Sequence, residues 1–491
     1  MHLSAVQPAS APCPLYVDMD GTLLGTDTLH ESVWALLRRR PWAWLQLCFW
    51  LLLGKAGFKR RVADQVRLEV AELPVHPRFV DWLREQRASG RRLVLATATD
   101  ARLAHAVADH WGLFDAVLAT GDPAHPGNLS RERKRAAIEQ HLRASGGQAY
   151  AYAGNSADDL PVWAGAAEAV VVQAPERIWR QVQRQHPQAL RFQQPGTRAR
   201  DVFKAIRISQ WAKNALLFVP LLAAHQTDAW AWTQAAWAFL AFGLCASATY
   251  LVNDLLDLPN DRRHPHKRHR PLAAGRLSLR NGSLLLVTML PLAFAIAWTV
   301  GSGFLAALAL YTGVTLAYSL RLKRVALLDV LILSGLYTLR LVAGAAATGV
   351  DLSNWLLAIS LFLFLGLALV KRCAELEEVL LDSAVDSARG RGYHQDDLPT
   401  LRAMGVSSAF LTVMVLALYI DSQNGRELYA QPDWLWGVIP LLLWWMMRIW
   451  FKTGRRELHG EDPLQFALHD RFSWATLAGI GLLGALASWG L

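Results

Sequence analysis

The sequence predicts a two-part protein, in which an α/β domain precedes an all-α membrane domain. Over roughly the first 200 residues, short apolar strand-like segments alternate with helix-like ones, which indicates a doubly wound parallel sheet. From about residue 207 onward, the chain is a series of apolar runs, each near the roughly 20 residues that cross a bilayer. An apolar content of 53% with 21 Trp also favours a membrane protein.

Four segments of the first domain are predicted to be buried strands: 15–18, 92–97, 149–154 and 169–173. Ligands of such sheets bind at the carboxyl ends of the strands. A Gln-, Arg- and Pro-rich stretch at about 176–205 indicates a linker. We therefore expect the first domain at 1–195, a linker at 196–206 and the membrane domain at 207–491.

Asp18 and Asp20 follow the first strand in the sequence Asp-Met-Asp-Gly-Thr, and their spacing directs both carboxylates the same way. One can attack phosphorus while the other protonates the leaving oxygen, with Mg²⁺ reducing the repulsion. Three more signals follow in order: Thr97 at the end of the second strand, Lys134 at the start of a helical stretch, and Gly154-Asn-Ser-Ala-Asp-Asp after the third strand. The Asp-Gly motif alone is also compatible with a simple turn.

These four motifs, spread over about 13–175, resemble the haloacid dehalogenase phosphatase superfamily. The resemblance implies a Rossmann-like fold with a helical cap, here at about 24–90. It implies that Asp18 is the nucleophile and Asp20 the general acid/base. It further implies that Thr97 and Lys134 bind the phosphate. The implied magnesium ligands are Asp18, Asp20 and Asp159.

One position departs from that family, which usually has Asp where Asn155 stands. The amide keeps an oxygen but loses a charge, so we expect weaker metal binding unless Asp158 compensates. Phosphatase activity is the expectation, and a regulatory domain without activity is the alternative.

The apolar segment 41–53 is too short to span a bilayer and is flanked by basic residues. A span here would also place Asp18 and Thr97 on opposite sides of the membrane. We expect a cap helix that lies in the membrane interface. A buried hydrophobic cap helix is the alternative.

The membrane domain is predicted to contain about nine spans: 208–224, 231–252, 283–301, 303–320, 326–347, 354–371, 404–421, 433–450 and 473–490. Loops after the even-numbered spans are basic, so the positive-inside rule places them and the N-terminal domain in the cytosol, and Leu491 outside. The N-terminus lacks a signal-peptide pattern, so we expect a multi-pass protein of the inner (cytoplasmic) membrane. The net charge is +10, and the basic residues cluster between the apolar runs. The expected partner is therefore the bilayer and not nucleic acid.

The region after the second span carries the strongest chemical signal. Asp254, Asp257 and Asp261 share one face at helical spacing, and three close carboxylates need a cation such as Mg²⁺ between them. Lys267 and Arg270 follow, and their side chains suit phosphate oxygens. The combination suggests a diphosphate leaving group handled beside a lipid.

A second charged region begins at Tyr318 and continues through Lys323 to Asp329. Asp329 and Arg340 lie at membrane depth, where a charge is costly, so we expect both to face a polar cavity. Ordinary loop topology accounts for Lys323 and its basic neighbours but not for Arg340.

The Asn-Asp-x-x-Asp-x-x-x-Asp motif, the Arg-Pro after it and the second charged loop resemble the UbiA superfamily of intramembrane prenyltransferases over nearly all of 205–491. His264-Pro-x-Lys-x-x-Arg-Pro and the opening 207–214 resemble its branch that transfers phosphoribosyl from phosphoribosyl pyrophosphate to decaprenyl phosphate. The resemblance implies Mg²⁺ on the catalytic Asp254 and Asp257 and on Asp261. The expected substrate-binding residues are Lys213, Asn253, Lys267, Arg270, Tyr318, Lys323, Asp329, Arg340, Lys371 and Arg372.

The sequence therefore predicts a bifunctional membrane enzyme. Its transferase would attach 5-phosphoribosyl to a polyprenyl phosphate, and its phosphatase would remove the ribose 5-phosphate at high effective concentration. In the resembled family such a product feeds arabinose donors for cell-envelope glycans. Two alternatives remain: an aromatic prenyltransferase with a polyprenyl diphosphate donor, and a transferase whose N-terminal domain is a sensor.

Overall fold

The computed structural model describes residues 12–125, 127–193, 196–381, 392–458 and 463–489. These residues form two compact units. The first contains the described residues up to Ile206 together with Tyr250–Leu286, and the second contains Arg207–Thr249 and the described residues from Val287 onward.

The first unit is built around a six-stranded parallel sheet with strand order β3-β2-β1-β4-β5-β6, which confirms the predicted fold. Up to Ile206 its elements are β1 (Leu15–Val17), α1 (Thr28–Arg39), α2 (Ala43–Leu51), α3 (Gly54–Gln65), α4 (Pro77–Ala88), β2 (Leu93–Asp100), α5 (Ala101–Trp111), β3 (Ala116–Thr120), α6 (Glu132–Ala144), β4 (Ala151–Gly154), α7 (Leu160–Ala164), β5 (Glu168–Val172), α8 (Glu176–Gln185), β6 (Leu190–Phe192) and α9 (Ala199–Ala205).

Alternating residues of the strands line two separate cores, because successive side chains point to opposite faces of a sheet. Leu15 and Val17 belong to one core, into which α4 and α5 pack. Tyr16 belongs to the other, together with residues of α6, α7 and α8. Because both faces are covered, the central strand β1 and the first half of β2 are apolar and buried on both faces.

The stretch predicted to be a linker, 176–205, instead contains α8, β6 and α9. β6 pairs with β5 along the sheet edge, through Val170 with Leu190 and Val172 with Phe192. β6 has only three residues, with an Arg at its centre. Such a strand is too short to show the apolar pattern from which a strand is predicted. β3 was missed for a similar reason, since Ala116–Thr120 is short and only partly buried.

The cap comprises α1, α2 and α3, whose apolar side chains form a small cluster of their own, including Leu36, Leu47 and Trp50. The expected cap of 24–90 is too long, because α4 packs into the sheet core through Phe79 and Leu83. Around α2, large apolar side chains are exposed: Trp42, Trp44, Leu45, Phe49, Leu51, Leu52 and Leu53. This exposed face fits the interfacial interpretation of 41–53 and not the buried one.

The remaining helices are α10 (Val219–Ala223), α11 (Ala229–Leu256), α12 (Leu258–Arg263), α13 (Leu279–Val300), α14 (Ser302–Leu320), α15 (Leu328–Thr348), α16 (Asn354–Leu381), α17 (Leu398–Asp421), α18 (Gln423–Leu428), α19 (Val438–Gly454), α20 (Pro463–His469) and α21 (Arg471–Trp489). Within the described residues, seven helical segments are long and apolar enough to cross a membrane. They correspond to α11, α13, α14, α15, α16, α17 with the turn before it, and α19 with the turn before it.

The predicted count of nine spans is therefore not confirmed. The stretch 208–224 forms a 3-10 segment, Ile208–Phe218, followed by the five-residue α10. The last predicted span falls in the 19-residue α21, which is outside the seven. The apolar run at 208–224 thus does not form one continuous α-helix, whereas the run at 473–490 lies in the continuous helix α21.

Small residues allow close packing in the second unit, as expected where apolar burial cannot drive helix association. Gly344 of α15 packs directly on the 3-10 segment: a Cβ at this position would lie 2.2 Å from the carbonyl oxygen of Leu217. That contact is with backbone, which cannot rotate away. At Gly335, also on α15, a Cβ would enter open space.

We expect Gly344→Ala to lower the thermal unfolding midpoint of the solubilised protein, because overpacking against backbone costs about 1–3 kcal/mol. Gly335→Ala is the matched control on the same helix. It should leave the midpoint unchanged or raise it, since Ala favours a helix over Gly by about 1 kcal/mol. Equal midpoints for the two variants would contradict the close contact.

Candidate active sites

The nucleophile predicted in the sheet domain is held by a buried lysine. Lys134 Nζ lies 2.8 Å from Asp18 Oδ1 and 3.1 Å from Asp159 Oδ1. Asp18 follows β1, Lys134 lies in the first turn of α6, and Asp159 follows β4, so the strand ends bring the three together. All three side chains are buried. One ammonium group thus balances two carboxylates at the carboxyl edge of the sheet.

Burial raises the pKa of Asp18 to about 7, with Asp159 and Asp20 adding to the rise and Lys134 opposing it. Burial lowers the pKa of Lys134, but the two carboxylates more than offset this and the pKa is raised. A nucleophilic carboxylate must be ionised. Lys134 therefore supplies part of the positive charge that keeps Asp18 reactive.

Asp20 is fixed by donors from two elements. Oδ1 accepts the backbone N–H of Thr28 at 2.9 Å, and Oδ2 accepts the hydroxyl of Thr99 at 2.5 Å. Thr28 begins α1, whose N-terminal cap is Asp27. Burial, followed by the charge of Asp27, raises the pKa of Asp20. A raised pKa suits a carboxyl group that must carry a proton to a leaving oxygen.

Asp159 already has five donors. Oδ1 accepts from Lys134 and from the Tyr152 hydroxyl, and Oδ2 accepts from the backbone of Asn155 and from both N–H and hydroxyl of Ser156. These bonds occupy the lone pairs of the carboxylate. The geometry suits a residue that positions Lys134, and it does not support the predicted role of Asp159 as a direct Mg²⁺ ligand.

Asn155 lies against the loop that carries the nucleophile, since a Cβ on Gly21 would lie 1.9 Å from Asn155 Nδ2. The Asn155 amide thus lies beside the Asp18–Gly21 loop, and an amide oxygen is of a type that suits a hard cation. Asp18, Asp20 and Asn155 are the residues that fit Mg²⁺ at this site. Asp158 does not compensate in this arrangement, because it pairs with Arg131 at 2.7 Å.

Thr97 does not end its strand, because β2 continues to Asp100 with a register shift between Thr97 and Asp100. Thr97 Oγ1 accepts the backbone N–H of Thr99 at 3.1 Å. Sequence reasoning missed Thr99 and Tyr152, which contact Asp20 and Asp159 respectively. Tyr152 was detectable in principle, since a polar hydroxyl inside a buried strand needs a partner.

In the region 253–271, two of the three predicted carboxylates converge on one guanidinium group. Arg270 Nη1 lies 2.7 Å from Asp261 Oδ2 and 3.1 Å from Asp254 Oδ1. Both carboxylates are buried. Burial raises the pKa of Asp261 against the opposing effect of Arg270. Arg270, predicted to bind phosphate, here holds the acidic pair.

Asp257 is only partly buried and forms the N-cap position between α11 and α12. Across the described part of the chain, no three His, Cys, Asp or Glu side chains are close enough to hold a metal together. The predicted three-carboxylate site is therefore not assembled in this structure. The pair Asp254 and Asp261 still fits Mg²⁺, which proteins often hold through one or two carboxylates plus substrate phosphates.

The basic turn beyond these carboxylates is ordered by His264. Its Nδ1 accepts the backbone N–H groups of His266 at 3.2 Å and Lys267 at 3.4 Å. Burial, followed by the charge of Lys267, lowers the pKa of His264, which keeps Nδ1 unprotonated as an acceptor. Lys267 and Asn253 are partly buried in the same unit as Asp254.

The first unit also joins this region to the phosphatase-like cap. Arg262 forms a bidentate pair with Glu31 of α1, at 2.6 Å and 3.2 Å, and the two side chains are 11% and 6% exposed. Glu31 lies one turn after Thr28, which donates to Asp20. The acidic motif and the proposed general acid are thus connected through a single cap helix.

In the second unit, Arg340 is buried without a carboxylate partner among the described residues. It donates to Asn214 Oδ1 at 3.1 Å, to the Tyr311 hydroxyl at 3.1 Å and to the Leu336 carbonyl at 2.7 Å. Its guanidinium and the Lys213 ammonium both lie over the Tyr337 ring, at 5.3 Å and 5.5 Å from the centroid. Arg340 therefore lies among aromatic rings and not in the predicted polar cavity. The Lys213 ammonium lies over one of the same rings.

Asp329 and Arg372 contact each other instead of an open site. Arg372 Nη2 lies 2.6 Å from Asp329 Oδ2, and the side chains are 2% and 0% exposed. Tyr393 also donates to Asp329, and Arg372 contacts Glu375. This network ties α15 to α16. The Nε of Arg372 is buried without a hydrogen-bond acceptor among the described residues, and the substrate-binding role of both residues stays a prediction. Tyr318, Lys323 and Lys371 are partly buried in the same unit.

Comparisons with known proteins agree with the two-part fold. The profile of the UbiA prenyltransferase family matches residues 215–469, and that of a haloacid dehalogenase-like hydrolase matches residues 15–163. An uncharacterized protein y4nM of Sinorhizobium fredii is 37% identical over 466 residues, 94% of this chain and 88% of that protein.

A decaprenyl-phosphate phosphoribosyltransferase of Mycobacterium tuberculosis is 32% identical over 304 residues, 61% of this chain and 98% of that protein. A solved UbiA homolog of Archaeoglobus fulgidus bound to GPP and Mg²⁺ aligns with a TM-score of 0.41 at 16% identity, over 57% of this chain and 99% of that chain. The chain belongs to the UbiA prenyltransferase family and carries a haloacid dehalogenase-like domain ahead of its UbiA domain.

Proposed function

We propose that this protein transfers 5-phosphoribosyl from phosphoribosyl pyrophosphate to a polyprenyl phosphate and then removes the ribose 5-phosphate. The main support for the transfer step is the similarity to a decaprenyl-phosphate phosphoribosyltransferase over nearly the whole length of that relative. The second step is supported by Asp18, Lys134 and Asp20, whose buried arrangement fits phosphoryl transfer to a carboxylate.

In the transfer step, Asp254 and Asp261 are the residues that would hold Mg²⁺. The metal, when bound, would stabilise the diphosphate that leaves ribose C1. Lys267 follows on the turn ordered by His264, where an ammonium group suits phosphate oxygens. Because the acceptor is a lipid phosphate and already an anion, the reaction needs no general base.

Lys213 and Arg340 are proposed to hold the phosphate of the acceptor lipid together. Both cations lie on one aromatic cluster, and Arg340 has no carboxylate in the described chain. Asn214 Nδ2 is also buried without an acceptor there. An anionic ligand would balance the charge of Arg340 and accept the bond from Asn214.

In the phosphatase step, Asp18 would attack the 5-phosphate while Asp20 protonates the ribose oxygen. Mg²⁺ on Asp18, Asp20 and Asn155 would reduce repulsion between the anions. The apolar face around α2 is proposed to rest on the bilayer, which would keep the active site near a substrate whose tail stays in the membrane. We place both sites on the cytosolic side of the inner membrane, as the distribution of basic loops predicts.

Asp254→Asn is expected to reduce phosphoribosyl transfer about a hundredfold or more, because one of two buried metal-binding charges is lost. The assay uses labelled phosphoribosyl pyrophosphate, polyprenyl phosphate and Mg²⁺, and it counts label in the lipid phase. Asp351→Asn, at an exposed loop position, serves as the control. Transfer at the wild-type rate in Asp254→Asn would remove the metal role.

Asp18→Asn is expected to leave transfer intact and to make the 5-phosphorylated lipid accumulate, since the amide cannot attack phosphorus. Mass spectrometry of the lipid products measures the ratio of phosphorylated to dephosphorylated ribose. An unchanged ratio would instead support a regulatory N-terminal domain.

Asn155→Asp is expected to lower the Mg²⁺ concentration needed for half-maximal hydrolysis by about tenfold, because affinity rises with the charge of the ligand set. The measurement is a Mg²⁺ titration of phosphomonoester hydrolysis. Asn128→Asp, which adds the same charge near Ser130 and outside this cluster, controls for net charge. The same half-saturation in Asn155→Asp and wild type would exclude Asn155 as a ligand.

A further inference from the structure

The first unit contains a cavity of about 380 Å³ that lies outside both candidate active sites. Its walls come from α1, from residues 67–73 after the cap, and from the segment 255–263. All of these residues belong to the same compact unit. The volume falls within the range typical of small-molecule sites.

The charges that line this cavity do not balance. Five arginines face three glutamates, namely Arg38, Arg39, Arg67, Arg262 and Arg263 against Glu31, Glu69 and Glu72. Arg262 pairs with Glu31, and Arg263 contacts both other glutamates. The cavity therefore has an excess of positive charge.

Three of the arginines carry this excess. Arg38 reaches only the amide oxygen of Asn260, at 3.4 Å, and no carboxylate of the described chain pairs with Arg38, Arg39 or Arg67. In addition, the Nε of Arg262 is buried and lacks an acceptor among the described residues. Several N–H donors thus face a space without enough acceptors, which is the condition for binding an anion.

The lining also includes five leucines, namely Leu68, Leu73, Leu255, Leu256 and Leu258. A small soluble phosphate would gain nothing from leucines, whereas a phosphate attached to a hydrocarbon chain would bury part of that chain against them. The lining thus suits an amphipathic ligand that carries both a phosphate and an apolar group.

The position of the cavity connects the two reactions. Leu255 and Leu256 lie between Asp254 and Asp257 in the chain. On the other side, Glu31 belongs to the helix whose first residue, Thr28, donates to Asp20. A ligand here would contact neighbours of the transfer motif and of the phosphatase acid at the same time.

We propose that this cavity binds the phosphorylated head of the lipid-linked ribose 5-phosphate between its formation and its dephosphorylation, with Arg38, Arg39 and Arg67 as the phosphate ligands. The inference rests on the proposed function and adds a binding site that neither reaction centre includes. The site would keep the intermediate on the protein instead of releasing it into the bilayer.

The test replaces all three residues, Arg38→Gln, Arg39→Gln and Arg67→Gln, in the full-length protein. The matched control removes three exposed arginines elsewhere in the same unit: Arg84→Gln, Arg143→Gln and Arg180→Gln. Purified 5-phosphoribosyl polyprenyl phosphate is supplied directly, so that its hydrolysis is read without the transfer step. Hydrolysis of soluble ribose 5-phosphate is measured in parallel.

The triple variant is expected to lose about tenfold or more in kcat/KM for the lipid substrate, since the charge-assisted hydrogen bonds from three arginines to its phosphate are removed. Its hydrolysis of soluble ribose 5-phosphate should match the control. Equal lipid hydrolysis in the triple variant and control would overturn the inference. An equal loss of kcat/KM for ribose 5-phosphate would also overturn it. That result would mean that the three arginines bind a free phosphate or only stabilise the fold. If the wild type does not hydrolyse the supplied lipid, the phosphatase step of the proposed function fails, and the inference fails with it.

Discussion

Carboxylates that are buried close together must share a cation, and both candidate active sites of this protein are built around that constraint. Lys134 joins Asp18 to Asp159, and Arg270 joins Asp254 to Asp261. Without the basic residue, each pair would repel and would shift toward protonation. Each carboxylate pair is therefore neutralised in part by the protein itself, and under the proposed function the same oxygens would be the ligands of a hard cation.

The same constraint distinguishes two kinds of buried charge in the second unit. Asp329 and Arg372 form a fully buried ion pair, and Glu375 adds a second carboxylate beside Arg372. Lys213 and Arg340 lie on one aromatic cluster, and only an anion from outside the described chain would balance Arg340. Charge balance thus distinguishes residues that hold helices together from residues that would recognise a phosphate.

The sequence predicted well those features that follow from a residue's own strand or helix. The parallel sheet, and the positions of Asp18 after β1, Lys134 near the start of a helix and Asp254 at the end of α11, were all visible in spacing and periodicity. The partners were not visible, because a contact such as that of Arg262 with Glu31 joins residues 231 positions apart. The edge strand β6 and the 3-10 segment Ile208–Phe218 were missed, because short elements depend on tertiary pairing more than on local pattern. Asp159 was assigned to the metal because sequence shows its position but not its five donors.

The most direct test of the central claim is the mass of the lipid product made by the wild-type protein from phosphoribosyl pyrophosphate, polyprenyl phosphate and Mg²⁺. The account predicts a polyprenyl-phosphoryl ribose that lacks the 5-phosphate, and it predicts no product when the divalent cation is chelated. Product formed at the same rate in the presence of the chelator would contradict it. A second contradicting result would be that the protein leaves these substrates unchanged but couples a prenyl diphosphate to an aromatic acceptor.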